Sequence, residues 1–218
     1  MPAATVLRDR VKAHLLESIH HGEIQFGHSL NLAALSRKLG VSVTPIREAL
    51  SQLEQCGIVK AIPNRGFIVP EFSIQEAKNL FSTLAELQVL ALESSTFDEM
   101  QLAQLSDEQR LLQQTHTPSA RLASRVTFHR LLRQQCENRI LLDLITNLEA
   151  RVVFYEQVFI MDAAFYEQID NQNDAILRSI QENNIPTAAL ILKMNWMTVA
   201  EFVQQQLILQ QVTTYEEL

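Results

Sequence analysis

The distribution of glycine divides this chain into two parts that differ in what they can fold into. All five glycines of the 218-residue sequence lie at or before Gly66, and none follows it. Glycine supplies the left-handed backbone conformations that tight turns and hairpins need. We therefore expect helices joined by polar loops in the C-terminal part and tight turns only in the N-terminal part. The sequence predicts two domains, residues 1–70 and residues 71–218.

Charge follows the same division. The formal net charge of the chain is −7, which taken alone argues against a nucleic-acid partner. Residues 1–72 nevertheless contain eight Lys and Arg against six Asp and Glu, a local charge of +2. The acidity therefore belongs to the C-terminal part, and the charge of the whole chain says little about partners of the N-terminal part.

Composition is that of a folded protein. Hydrophobic residues make up 47% of the chain and charged residues 20%, which argues against disorder. No apolar run follows a basic N-terminus, and no stretch approaches the roughly 18 apolar residues of a membrane span. The two cysteines, Cys56 and Cys136, are far apart in sequence and fit a reducing compartment. The expected location is the cytoplasm.

Residues 32–50 predict two short helices joined by a tight turn. Asn31 suits the N-cap of the first helix, which we expect to end near Leu39 at Gly40. The second helix begins at Thr44-Pro45, because the missing N–H of proline costs nothing in a first turn. Its buried stripe is expected to comprise Ile46, Ala49, Leu50 and Leu53. Val41, in the turn, is expected to pack inward.

A hairpin is predicted directly after these helices. Two short β-prone runs flank Pro63-Asn64-Arg65-Gly66, a turn typical of hairpins. With a helix over residues 5–21 that ends at Gly22, the elements make a winged helix-turn-helix, whose second paired helix enters a DNA major groove. Arg65 would lie at the wing tip, within reach of a phosphate or the minor groove. A helical hairpin inside a core is the alternative, and it leaves the wing unexplained.

These residues resemble the DNA-binding domain of the GntR family of bacterial transcription regulators. The resemblance covers about residues 6–70 and rests on Gly40-Val-Ser-Val-Thr-Pro-Ile-Arg-Glu-Ala-Leu50 and Asn64-Arg-Gly-Phe-Ile-Val69. It implies operator contacts at Ser42, Thr44, Arg47, Arg65 and Gly66. The residue between Ser42 and Thr44 is commonly arginine in the family and is Val43 here. Valine cannot hydrogen-bond guanine but can touch a thymine methyl, so Val43 indicates a different base preference.

The C-terminal part predicts an antiparallel all-helical bundle, which makes the whole chain mainly α. Ser73-Ile-Gln-Glu76 predicts a capping box at the start of a long helix. Further helices are expected at 99–115, 118–136, 138–160, 165–183 and 186–211. From Ser73 to about Gln211 the arrangement is similar to the all-helical effector domain, called FCD, of the FadR-type branch of the GntR family.

The resemblance also points to four positions in the bundle. Many members of the branch hold a divalent metal there through one Asp and three His. In this chain those positions are Arg125, His129, Asn173 and Asn195. One imidazole with two amides is a poor site for zinc or nickel, and an arginine adds positive charge where the cation would lie. We expect no bound metal and no other cofactor.

Arg125 has three interpretations. It lies in an apolar helical stripe, where an unpaired charge is costly. In the first interpretation it therefore pairs with an internal carboxylate such as Glu149 or Asp174, or extends to water. Alternatively it replaces the metal as the anchor of an anionic effector. That effector would be held by Arg125, His129, Asn173 and Asn195. In the third interpretation the pocket has closed and binds nothing.

The sequence thus predicts a transcription regulator, acting as a repressor, that binds a pseudo-palindromic operator as a homodimer. A small anionic metabolite in the helical bundle would control it. An enzyme is not expected, because the chain has no G-x-S-x-G, no H-E-x-x-H and no phosphate-binding glycine loop. The alternative function is that of a ligand-blind DNA-binding protein whose helical domain only dimerises.

Overall fold

A computed structural model describes residues 10–216, apart from residues 12, 16, 19–22, 25–26, 56, 64–65, 71–72 and 160–162. The chain divides into two compact units, Met1–Phe72 and Ser73–Leu218. It is mainly helical, with one small antiparallel hairpin in the first unit. This architecture confirms the predicted fold class. No helix among the described residues is both long enough and apolar enough to span a membrane.

The first unit contains the two paired helices. They are α1 (Leu32–Leu39) and α2 (Val43–Gln55), and the described residues between 10 and 18 are also helical. Oδ1 of Asn31 accepts the Ala34 N–H at 2.9 Å, and Gly40 ends α1 with φ of 65°. Both ends of α1 therefore confirm the prediction. The expected stop at Gly22 lies outside the described residues.

The turn between α1 and α2 is held by its own hydrogen bonds. The Ser36 hydroxyl donates to the carbonyl of Val41 at 2.6 Å, and the Val41 N–H donates back to the Ser36 carbonyl. After the turn, α2 buries the whole predicted stripe, Ile46, Ala49, Leu50 and Leu53. Val41 itself is only half-buried, so the expectation that it packs inward is met only in part.

The hairpin comprises β1 (Lys60–Ile62) and β2 (Gly66–Ile68), paired from Lys60↔Ile68 to Ile62↔Gly66. Two further connections were not predicted. The loop before α1 adds a third edge, since Ser29 bridges to Ile68. The Ala61 N–H donates to Glu54 Oε1 at 2.8 Å, which ties the last turn of α2 to β1. The wing is thus fastened on two sides.

The second unit is a bundle of six helices across its described residues. They are α3 (Ile74–Glu93), α4 (Glu99–Gln114), α5 (Pro118–Leu132), α6 (Arg139–Phe159), α7 (Ala163–Gln181) and α8 (Ile185–Glu216). Helix α3 packs against α6 and α8, and α4 packs against α5 and α7, while α6 contacts α5 and α8. The largest fully buried side chains include Phe81, Phe128 and Trp196.

Helix starts in the bundle follow local sequence more closely than helix ends do. Ser73 caps α3 by accepting the Glu76 N–H at 2.9 Å. A complete reciprocal capping box occurs instead at Asp98 and Gln101, where it was not predicted. The end of α5 was placed at residue 136, whereas the helix stops at Leu132. The chain turns there because Arg133 leaves helical geometry while its side chain pairs with a carboxylate of α6.

Candidate functional site

The start of α2 presents an exposed polar surface. Ser42 and Thr44 are exposed, Val43 is half-buried between them, and Arg47 is exposed one turn further along. The free N–H groups of a helix start carry partial positive charge, which favours an anionic partner. Among the ion pairs given by the described residues, none involves Arg47. This arrangement offers a donor-rich helix end and a cation to a polyanion.

The wing begins its second strand at Gly66. Its φ is +83°, a conformation that L side chains rarely adopt, although a Cβ added there would meet nothing within 4 Å. Backbone conformation, rather than lack of space, accounts for glycine at this position. Arg65, predicted at the wing tip, lies outside the described residues.

A second set of polar groups lies inside the bundle, along α5. Arg121, Arg125, His129 and Arg133 recur every four residues on one face, and we call them the basic stripe. All four are buried. Each arginine pairs with a carboxylate of another helix. The pairs are Arg121 with Asp170 at 2.5 Å, Arg125 with Glu156 at 2.5 Å, and Arg133 with Glu149 at 2.7 Å.

The partner of Arg125 differs from both candidates named from the sequence. It is Glu156, whose two carboxylate oxygens accept from the same nitrogen, Nη1, at 2.5 and 2.6 Å. Glu149 accepts hydrogen bonds from Arg133 instead. Asp174 accepts from the amides of Gln109 and Gln113. Sequence spacing could not decide this, because three carboxylates on two helices compete for the arginines of the stripe.

Around Arg125 the structure brings together the four residues predicted from the resemblance. His129, Asn173 and Asn195 are fully buried, and Asn195 Nδ2 donates to Asn173 Oδ1 at 3.2 Å. Trp196 joins them, with its ring centroid 4.6 Å from that of His129 and 4.5 Å from the Arg125 guanidinium carbon. Sequence analysis missed Trp196, although its position next to Asn195 and opposite an arginine was a usable signal.

Several buried polar atoms of this cluster have no hydrogen-bond partner in the protein. They are Arg125 Nε and Nη2, both ring nitrogens of His129, Asn173 Nδ2, Asn195 Oδ1 and Trp196 Nε1. Five of the seven are donors, counting one nitrogen of the neutral His129 ring, and the two acceptors are Asn195 Oδ1 and the other ring nitrogen. Buried polar groups of native proteins are nearly always hydrogen-bonded. The cluster, which we call the Arg125 cluster, therefore has the chemistry of a binding site for an acceptor-rich group.

Burial also sets the protonation of the cluster. It lowers the pKa of His129 well below the usual value, and the positive charges of Arg125 and Arg133 lower it further, while an interaction with the side chain of Asn195, too long or bent for a regular hydrogen bond, opposes them. The histidine is thus neutral at physiological pH. Burial raises the pKa of Glu156, an effect that Arg125 opposes and that Glu149 reinforces.

The donor set does not suit a transition metal. One neutral imidazole and two amide side chains supply weak ligands, and the guanidinium of Arg125 repels a cation. Within the part of the chain that the structure describes, no three His, Cys, Asp or Glu residues are grouped to hold a metal ion.

An open groove of about 260 Å³ lies at the Arg121 end of the basic stripe. It is lined by Tyr166, whose ring lies 4.6 Å from the guanidinium carbon of Arg121, and by the paired Asp170. Arg121 also donates to the carbonyls of Leu112 and Thr115. These bonds occupy Nη1 and Nη2 and join Arg121 to the end of α4 and to α7, while its Nε has no partner among the described residues.

The sequence of this chain is similar to those of known bacterial regulators. Residues 7–69 match the profile of bacterial regulatory proteins of the gntR family. YdhC of Bacillus subtilis, an uncharacterized HTH-type transcriptional regulator, is 28% identical over 149 residues, which cover 64% of this chain and 65% of YdhC. The chain thus spans just under two thirds of that relative. The HTH-type transcriptional repressor RspR of Escherichia coli is 26% identical over 198 residues, covering 88% of this chain and 86% of its own.

Solved structures agree on the fold. The structure of E. coli McbR/YncC covers 94% of this chain and 99% of its own, with 22% identity and a TM-score of 0.71. The chain is accordingly similar to helix-turn-helix transcriptional regulators, and it shares the fold of their solved structures, with an all-helical C-terminal unit.

Proposed function

We propose that this regulator is a cytoplasmic repressor that reads a pseudo-palindromic operator as a homodimer. The observation that carries the proposal is the start of α2, where Ser42, Thr44 and Arg47 are exposed and where Arg47 forms no ion pair with the described residues. Val43 would touch a thymine methyl, while Gly66 and Arg65 would bring the wing to the backbone or minor groove. Residues 1–70 would form the DNA-binding domain. One such domain reads only a short half-site, so two copies are needed.

The proposed dimer is supported by an exposed apolar face on the bundle. Leu90 of α3 and Leu190 and Met194 of α8 are each about half exposed or more. The exposed sides of the two helices are adjacent, because Lys193 pairs with Glu86 at 2.5 Å. A surface of this kind is typical of contacts between protein copies. We assign it to a second copy of this chain, with residues 71–218 as the FCD-like domain for dimerisation and effector binding.

The proposed effector is a small anion, such as a carboxylate, bound at the Arg125 cluster. Support comes from the unpartnered donors of Arg125, His129 and Asn173, together with the amide of Asn195. Such donors form strong hydrogen bonds to an oxyanion. Binding there would change the affinity for operator by a coupling of about 1–3 kcal/mol, the usual range for such regulators.

A ligand-blind function is the second candidate, and one observation favours it. Glu156 already neutralises Arg125, so that the cluster can be an entirely structural ion pair. In that case residues 71–218 would only dimerise.

Selection of binding sites from random DNA by the full-length protein tests the DNA proposal. We expect enriched sequences with two inverted half-sites separated by about one helical turn, roughly 10 base pairs. Enrichment of single, unrepeated sites, or no enrichment, would contradict it.

Sedimentation of Met194→Glu and Leu190→Glu variants tests the dimer, which both substitutions should dissociate. Exposed Glu182→Lys, placed elsewhere on the bundle, is the control.

A further inference from the structure

The geometry of Arg125 leaves half of its guanidinium available. Both oxygens of Glu156 accept from Nη1, whereas Nη2 and Nε have no protein partner. A carboxylate paired with arginine ordinarily uses two nitrogens in parallel, as Glu149 does with Arg133. Glu156 therefore holds Arg125 less completely than Glu149 holds Arg133, which lies two steps further along the basic stripe.

The remaining donors converge on the same place. The Trp196 ring lies against both the Arg125 guanidinium and the His129 ring, and Asn195 adjoins it in sequence and bonds to Asn173. Each of these side chains is at least 97% buried and has an unpartnered polar atom. An oxyanion supplies several acceptors at once, which matches this excess of donors.

Charge limits what can bind. Arg125 and Glu156 cancel each other, and His129 is neutral because burial lowers its pKa. The other groups that face Glu156 are Glu149 on its own helix and Tyr166 on α7. Among its described side chains, helix α8 brings the neutral Asn195 and Trp196 to the cluster. The carboxylate that α3 turns toward α6, Glu76, pairs with Arg151. An added anion would leave one uncompensated negative charge in a buried site, which is strongly unfavourable.

We propose that Glu156 is an internal counter-ion that an oxyanion ligand displaces from Arg125, and that the ligand is taken up together with one proton. The proton lies on the carboxyl of Glu156 in the bound state, so that the charge of the cluster is unchanged. This inference rests on the proposed effector site. It makes the ligand class a small acid whose binding tightens as pH falls.

The test uses the full-length protein and two monovalent probes, acetate and formate, which are largely ionised throughout the range from pH 5.5 to 8. Trp196 is the only tryptophan of the chain, so its fluorescence reports binding at this cluster directly. For wild type we expect acetate affinity to increase about tenfold for each unit by which pH falls, the linkage of one proton. Calorimetry in two buffers of different ionisation enthalpy should give uptake of one proton per anion.

The variant Glu156→Gln separates the possibilities. It removes the counter-ion, and we expect it to bind acetate at least tenfold more tightly than wild type at pH 7.5, with no pH dependence. Glu149→Gln is the matched control, because it makes the same change at the partner of Arg133 and should keep the pH dependence. If Glu156→Gln fails to fold, proton uptake by wild type decides alone.

Two outcomes would overturn the inference in different ways. Acetate binding to wild type with the same affinity at every pH, and without proton uptake, would refute the counter-ion while the effector site stands. Absence of binding of both probes to wild type and to Glu156→Gln would refute the effector site as well, and would leave DNA binding by the first unit unaffected.

Discussion

The two units of this protein hold their cations in opposite ways. Arg47 in the first unit is exposed, whereas the three arginines of the basic stripe are at most 7% exposed and each faces a carboxylate. A hydrated cation can be offered to a phosphate at little cost to the fold, while a buried one must be paired where it lies. Substitutions in the first unit should therefore change binding, and those in the second should change stability first.

The largest effect is expected from Arg133→Met. It leaves Glu149 buried without its partner, and we expect the free energy of unfolding to fall by about 3–5 kcal/mol. The double variant Arg133→Met/Glu149→Leu should recover most of this loss, because both charges are gone. Urea unfolding followed by circular dichroism measures it. Exposed Arg110, paired with Asp107, is the control, and Arg110→Met should cost less than about 1 kcal/mol. If Arg133→Met and Arg110→Met lowered the free energy of unfolding equally, buried and exposed ion pairs would not differ in the way described.

Arg47→Ala should have the next largest effect, on operator affinity. Loss of one cationic contact at the start of α2 is expected to weaken binding by about 1–3 kcal/mol, with the free energy of unfolding changed by less than about 0.5 kcal/mol. Fluorescence anisotropy with a selected operator measures the affinity. Glu48→Gln, on the adjacent exposed position, should not weaken binding, since it removes a negative charge. If Arg47→Ala bound the operator with unchanged affinity, the surface that contacts DNA would have to lie elsewhere than at this helix.

The third prediction concerns pH. Because the pKa of His129 is lowered in the folded state, the unfolded chain takes up a proton below about pH 6.5 that the native protein does not. This histidine therefore destabilises the fold as pH falls, by up to about 1 kcal/mol per pH unit. Glu156, whose pKa is raised, acts in the opposite direction.

Unfolding of His129→Gln at pH 5, 6 and 7 isolates the histidine contribution, because glutamine does not titrate. The difference in unfolding free energy between wild type and this variant should change with pH as described. His116→Gln, at an exposed position, is the control for loss of an imidazole elsewhere in the bundle. A difference that is constant with pH would mean that His129 is protonated alike in both states.

The smallest effect is expected for the helix N-caps, a feature that both units contain. Asn31 and Ser73 cap helices in the same manner, and both caps are exposed. Replacing either by alanine should cost about 1 kcal/mol, and replacing Asn31 by glycine only a few tenths. Thermal unfolding of the three variants measures this. A much larger loss for one of the alanine variants would show that its cap has tertiary contacts beyond the helix start.

Local chemistry explains which parts of the structure could be predicted. The ends of α1 follow from Asn31 and Gly40, and the start of α5 follows from Pro118, because caps and prolines act through neighbouring backbone. The end of α5 and the partner of Arg125 depend on α6, which is distant in sequence. The recurrence of Arg121, Arg125 and Arg133 was visible in the sequence, but the choice among Glu149, Glu156 and Asp170 was not, since only the packed bundle decides it.

The bond between Glu54 and Ala61 has a consequence for how operators can vary. It joins the end of α2 to the first strand of the wing, and the pairing of Ser29 with Ile68 fastens the second strand. These two connections hold α2 and the wing at a fixed separation. Natural operators should then differ little in the distance between the base step read by the helix and the groove met by the wing. Any tolerance should appear in the number of base pairs between the two half-sites.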